Sequence, residues 1–411
     1  MEGELNPDSN RVVISDMAAA TCLSTGVEGL LRQLRKGFNY SEKEDSDSAQ
    51  PRRFRRFAKV SHDCSNLFRK TRLDSRLARY LVAAVDLDLG NRLCALGEGA
   101  SANLGVVIGN FTGNCHSYCS YFLTATREGY DSVNPIHFPT TLLNYPTIQL
   151  NNAFSLQGSS TTTSSGFSAG LDAIGYAFIQ LKLGKEQILL GGGIEEINDI
   201  NIGYLERDNT ISQSGVIRPF HKNRDGTVPG EGVGVLMLET IKHAQAGGRT
   251  GLCEIKAYRL MNGLSDDSES IFLKNATETI KHALADAKIR LGEIDAIFPS
   301  ASGSLRGDEL EGCLLRETFA SHLSMIPIYP VKSIIGECFT AAGPLQCIAA
   351  THSLRLTNGS IAARDMERNT GDLNLPERLR ASNNALIYSL GPDKSFSVLI
   401  LSRCAQSLNS D

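Results

Sequence analysis

Residues 161–193 constrain the fold more tightly than any other stretch of the chain. Thr161-Thr162-Thr163 favours extended backbone, because β-branched side chains pack well on a pleated surface. Gly166 permits a sharp turn. From Ser168 onward Leu171, Ile174, Phe178 and Leu181 recur at helical spacing, which predicts a buried helix that Gly184 ends as a C′ glycine. Ile188-Leu189-Leu190 then reads as a buried strand closed by Gly191-Gly192-Gly193. A strand, a sharp turn, a buried helix and a second buried strand in this order describe a unit of a largely parallel sheet.

The same alternation runs through the rest of the chain. Arg11–Ser15 reads as a short buried strand and Val27–Lys36 as the helix after it. Gly105–Gly109 is a β-branched run, and Asn114–Arg127 has helical length without breakers. In the second half, 253–260 and 296–298 suggest strands, and 270–289 and 307–319 suggest helices. Residues 336–356 open on a Gly/Ala-rich turn and continue as a helix, and Val398–Leu401 is a final apolar strand. The chain has 411 residues, too many for one small core, so two joined halves are expected, 1–250 and 251–411. The charged, Ser-rich stretch 40–56 reads as a surface loop, and its basic run Arg52–Arg56 as a solvated patch or a landing site for an acidic carrier protein.

Several function classes have no support. A net charge of −4 gives no electrostatic case for nucleic acid. The polar N-terminus lacks a secretory signal pattern, and no apolar run reaches the length of a membrane span, so a cytoplasmic protein is expected. The ten cysteines have no repeating spacing; Cys115 and Cys119 are read as helix-face thiols rather than half of a zinc site. No dinucleotide, Walker or HExxH motif is present, so neither cofactor nor metal is expected.

Residues 218–239, RPFHKNRDGTVPGEGVGVLMLE, resemble the RPFDxxRDGxxxGEGAGxLxLE segment of β-ketoacyl synthases. With that anchor, Val12–Ser24, Val106–Gly109 and Leu189–Glu196 resemble the family's first strand and turn, its GVVxG strand and its VMVAGGxE strand. Gly307–Glu311 resembles GDxxE, and Lys332–Glu337 with Ala341–Gly343 resembles KSxxGHxxxAAG. The resemblance implies an α/β thiolase-like fold: two βαβαβαββ halves in five αβαβα layers, assembled as a dimer.

Such a synthase needs a thiolate at a helix N-terminus and two imidazoles that stabilise an enolate as carbon dioxide leaves. Aligning 164–170 with the family's ATACTSG puts Phe167 at the nucleophile. Aligning Ser302-Gly303 with HGTST puts Ser302 at the first histidine, and Glu337 follows Lys332 by five where KSxxGH has the second. None of the three can do the required chemistry. The family's GFGGTN loop is replaced by Gly391–Phe396, in which Pro392 also removes a backbone donor. Asp225, Gly230, Glu231, Gly232, Asp308, Glu311 and Lys332 are retained, and the charged ones are read as a buried network that holds the fold.

The resemblance therefore implies a pseudoenzyme like the chain-length factors of type II polyketide systems. Those pair with an active β-ketoacyl synthase in a heterodimer, shape the acyl tunnel, and meet acyl carrier protein with its phosphopantetheine-linked chain. The chain-length factors carry glutamine where this chain has Phe167, which leaves aromatic polyketide, polyene and fatty-acid-like branches open. Asn114–Arg127 resembles their interface helix, and Tyr118, Tyr121 and Phe122 are candidates for the tunnel floor, against core packing as the alternative. Three other readings stand beside this one: a serine hydrolase or acyltransferase using Ser168 of GxSxG, a rewired synthase using Cys338, and a homodimeric scaffold that holds carrier protein.

Overall fold

The computed structural model describes residues 10–37, 75–96, 103–263, 268–356, 373–376 and 378–404. The expected loop at 40–56, with its basic run, lies outside the described residues. The strands are β1 (Val12–Thr21), β2 (Gly105–Gly109), β3 (Ser160–Thr163), β4 (Ile188–Glu195), β5 (Gly232–Thr240), β6 (Cys253–Asn262), β7 (Ala296–Phe298), β8 (Asn384–Leu390) and β9 (Ser395–Arg403). The helices are α1 (Val27–Lys36), α2 (Arg76–Ala95), α3 (Cys115–Glu128), α4 (Tyr145–Phe154), α5 (Ala169–Lys182), α6 (Asp199–Arg207), α7 (Ile241–Ala246), α8 (Glu269–Ala287), α9 (Leu305–Phe319), α10 (Lys332–Ile335) and α11 (Ala342–Arg355).

The strands hydrogen-bond in the order β3-β2-β4-β5-β1-β6-β9-β8-β7. β2 is parallel to both β3 and β4, while β5 runs antiparallel to β4 and to β1. Only three residue pairs, Val12 to Ile14 against Cys253 to Ile255, join β1 to β6. The sheet is therefore two blocks with a narrow seam.

Side-chain alternation shows how the blocks are layered. Along β5, Val233, Val235 and Met237 pack with α2 and α4, and Leu236 and Leu238 point the other way, onto α5 and α11. Along β9, Phe396, Val398 and Ile400 face α8 and α9, and Leu399 and Leu401 again face the α5/α11 side. Strands buried on both faces are apolar at nearly every position, and buried Ser397 in β9 is satisfied by donating to Asp172. The order is helices, sheet, helices, sheet, helices, the αβαβα layering of a thiolase-like fold.

The middle helix α5 approaches its neighbours closely because glycines stand at the contacts. A Cβ on Gly170 would overlap the Thr340 carbonyl, and one on Gly175 the Tyr258 ring. The same packing corrects one sequence expectation. Gly191-Gly192-Gly193 does not close β4 but lies inside it, because β4 must pass between the Gly234 and Thr340 backbones, where a side chain would collide. β1 is twice the expected length, since Asp16–Thr21 keep pairing with β5 past an irregularity at Ile14/Asp16. The stretch 336–356 opens on a turn as expected, with a 3-10 turn at Phe339–Ala341, and continues as α11 from Ala342 to Arg355.

Candidate functional site

Phe167 lies on the 3-10 turn Gly166–Ser168 that leads into α5, with Gly166 at φ +79°. Its side chain is 3% exposed. The ring centroid is 5.3 Å from Phe111, 5.3 Å from Phe339 and 5.6 Å from Tyr204. These four rings, with Leu205 and Ile211, form a separate apolar cluster at the start of the central helix. The hairpin between β8 and β9 caps it: a Cβ on Gly391 would stand 2.8 Å from the Phe167 Cβ. An offset aromatic cluster of this kind is held by burial and edge-to-face attraction, and Phe167 itself offers no lone pair to a thioester.

Ser302 and Glu337 lie on the other side. The Ser302 and Gly303 N–H groups donate to Asp308 Oδ1 at 3.1 and 3.0 Å, and the Phe220 N–H donates to Asp308 Oδ2 at 2.6 Å. Ser302 is thus fixed through its backbone. Glu337 is buried; its Oε2 pairs with Lys332 Nζ at 2.7 Å and its Oε1 accepts the Phe339 N–H at 3.0 Å. Lys332 also donates to Ser300 Oγ at 3.1 Å. Phe339 has φ +49°, in the left-handed region, and hands its ring to Phe167. The ion pair and the aromatic cluster therefore meet at one residue.

Burial pushes the Asp308 carboxyl up to about 6, against the pull of its backbone donors. Burial, then the Asp308 charge, pushes Glu311 up to about 8, while Lys332 pulls it back. The Tyr388 phenol beside Glu311 is raised well above its ordinary value, again by burial first. The retained charges do not form one network. Lys332, Glu337, Glu311 and Asp308 lie together, whereas Glu231 pairs bidentately with Arg76, at 2.6 Å to Nη2, and accepts the Ile197 N–H at 3.2 Å. Arg76, Phe111, Tyr204 and Phe339 carry no role in the sequence expectations; their partners Glu231 and Phe167 lie far along the chain, so no local spacing marks them.

Ser168 is buried and donates to Asp172 Oδ2 at 2.8 Å. Asp172 also accepts from Tyr258 Oη at 2.8 Å and from the Ser165 and Ser397 hydroxyls. Among the described residues no imidazole reaches Ser168: His282 is on α8, His322 on the 3-10 turn Ala320–Met325, and His352 on α11. Among the described residues the hydrolase triad is not assembled. Cys338 is fully buried, and its Sγ donates to the Ile335 carbonyl at 3.3 Å and the Glu231 carbonyl at 3.4 Å, a thiol used for packing.

Tyr118 and Phe122 on α3 are 49% and 39% exposed, so core packing is not their role. Their rings pack at a tilt with centroids 4.7 Å apart, and half-buried Tyr121 meets Phe122 at 5.4 Å and Phe138 at 6.0 Å. Leu123, Ile136, Phe138, Leu142 and Leu143 extend this face with further exposed apolar side chains. Among the described residues no helix is long and apolar enough to cross a membrane. No group of three His, Cys, Asp or Glu among them is placed to hold a metal ion.

Two sheets enclosing a central helix pair, with the start of one helix meeting the loop before the other, define a thiolase-like α/β protein. The chain belongs to the β-ketoacyl synthase family: the family's N-terminal domain matches residues 9–244 and its C-terminal domain residues 252–362. A 3-oxoacyl-[acyl-carrier-protein] synthase homolog of Saccharomyces cerevisiae is 27% identical over 66% of this chain and 61% of its own length. Nodulation protein E of Rhizobium leguminosarum bv. trifolii is 29% identical over 49% of this chain and 50% of its own. The chain thus spans half to three-fifths of these relatives. 3-oxoacyl-[acyl-carrier-protein] synthase 2 of Staphylococcus aureus is matched over 84% of this chain and 86% of its own length at 23% identity.

Among solved structures, the ishigamide ketosynthase/chain length factor superimposes with a TM-score of 0.82 at 20% identity, covering 96% of this chain and all of that one. The AntDE:AntF complex, a type II polyketide acyl-carrier protein with its ketosynthase bound to the hexaketide, gives 0.79 at 19% over the same share of each. At these identities the likeness shows the fold.

Proposed function

We propose that this chain is a non-catalytic, chain-length-factor-like subunit that pairs with an active β-ketoacyl synthase and shapes its acyl or polyketide tunnel. The observation that carries the reading is Phe167, buried at the start of the central helix and packed among three other rings. Taken as the nucleophile position, it supplies no thiolate and fills the volume that an acyl-cysteine needs. Ser302 and Glu337, taken as the histidine positions, supply no imidazole, and Glu337 is committed to Lys332. A carboxylate there repels a developing enolate rather than stabilising it.

The exposed apolar face around α3 supports a partner subunit, because a surface of that kind costs free energy in water until it is covered. In this reading Tyr118, Tyr121 and Phe122 stand at the tunnel, an acyl carrier protein delivers its chain to the partner's site, and residues 1–250 and 251–411 are the two halves of the subunit. One similar structure is described as a ketosynthase/chain length factor and another as a type II ketosynthase with its acyl-carrier protein.

Co-expression with candidate synthases tests the proposal. A stable one-to-one complex that condenses malonyl carrier only when both chains are present is expected, with longer products after Tyr118→Ala or Phe122→Ala. Phe167→Cys alone stays inactive, since no imidazole is restored. A purified wild-type chain that captures and extends an acyl group unaided would overturn the reading.

A further inference from the structure

The first turn of α3 holds a pair of thiols that none of the chemistry above uses. Cys115 is buried, Cys119 is half-buried, and their sulfur atoms are 3.7 Å apart. Positions four apart on a helix share a face, so the two thiols stay neighbours through side-chain motion. Closing to a disulfide requires the sulfurs to reach about 2.05 Å. The first turn must also give, because Cβ atoms four apart on a helix stand about 5–6 Å apart and a disulfide needs about 3.5–4.5 Å. The Asn114 side chain makes no capping bond to α3; its Oδ1 accepts from the Ser75 hydroxyl instead. Gly113, just before it, sits at φ +56°. The first turn is therefore less tightly fixed than a capped one.

The two thiols differ in exposure. Burial first, then Cys119 and the Asp199 and Glu196 carboxylates, push Cys115 up to about 12, so it rests as a protonated thiol. Cys119 is the one with solvent access.

We propose that Cys115 and Cys119 form a dithiol site, oxidised reversibly to an intrahelical disulfide by low-molecular-weight disulfides. The Cys119 thiolate attacks the oxidant's S–S bond, forming a mixed disulfide and releasing one thiolate. Cys115, giving up its proton as it attacks, bonds to the Cys119 sulfur and expels the second thiolate. The two protein protons end on the two released thiols. The protein dithiol is oxidised and the small disulfide reduced, so atoms and electrons balance. The tie encloses Tyr118, whose ring packs at a tilt against Phe122, and so fixes the aromatic face of α3. Any effect on pairing rests on the function proposed above; the disulfide itself does not.

The test incubates the folded full-length chain with oxidised glutathione, then maps every cysteine by peptide mass spectrometry. Exposed Cys94 is expected to carry glutathione and to report that the reagent works. Cys115 and Cys119 are expected as an internal disulfide without glutathione, reversed by dithiothreitol. In Cys119→Ser, Cys115 remains a free thiol. The proposal falls if Cys119 ends as a stable glutathione adduct, or if both thiols stay free while Cys94 reacts. A disulfide that forms in a chain that binds no synthase supports the dithiol site and removes the pairing proposal instead.

Discussion

The start of α5 and the loop before α11 meet at Phe339, yet they are stabilised by opposite means. Around Phe167 the site is filled by rings, and burying one such side chain contributes about 2–3 kcal/mol. Around Glu337 the site stays charged: one lysine is enclosed with the carboxyls of Glu337, Glu311 and Asp308. Apolar filling is stabilising in itself. A buried ion pair offsets its own desolvation only while both members are present. The contrast teaches that two parts of one site can be stabilised by different routes, one by apolar filling and one by ion pairing.

The largest effect is expected from breaking the charged half. Lys332→Met leaves Glu337 without its cation and removes the pull on Glu311, for a loss of about 3–5 kcal/mol in urea unfolding. Lys332→Met with Glu337→Leu recovers most of it. Equal losses in the single and double variants would show that the pair is not the stabilising unit. Phe167→Ala opens a cavity and costs about 3 kcal/mol, the low end for such a change, because half-buried Phe111 and Tyr204 can close in. A loss near zero would mean that the rings do not pack as a cluster.

The comparison also predicts a pH signature confined to the charged half. Asp308 and Glu311 bind protons more tightly folded than unfolded, so their contribution is complete below the ordinary carboxylate range. It is lost as pH rises through about 6 and about 8. Between about pH 5 and about pH 9 wild-type stability should fall, and Glu311→Gln should flatten that fall by on the order of 1 kcal/mol. An unchanged slope would place the pH dependence elsewhere, Glu195 being the next candidate at about 7 through burial. The smallest effect is Ser168→Ala, about 1 kcal/mol for one donor lost from Asp172, with no fluorophosphonate labelling before or after.

Much of the architecture was legible locally. Leu171, Ile174, Phe178 and Leu181 announced α5, and all four are buried. Leu77, Leu81, Val85 and Leu89 recur every four residues and mark α2, an element left unassigned in the sequence although its signal was present. The sequence marked Phe167, Ser302 and Glu337 as candidate positions, but not what surrounds them. Nothing near Phe167 in sequence points to Phe111, Tyr204 or Phe339, and nothing near Glu231 points to Arg76. Such partners are set by strand order, which brings residues far apart in the chain to one helix end.

The order of motifs and the residue types at 167, 302 and 337 are properties of the chain itself: they determine the family and exclude a thiolate and two imidazoles at those positions. Whether the altered positions lie open, filled or paired was decided only by folding, because packing and ion pairing depend on which layers meet. A side chain's identity limits what it can do, and its neighbours, gathered from both halves of the sheet, decide what it does.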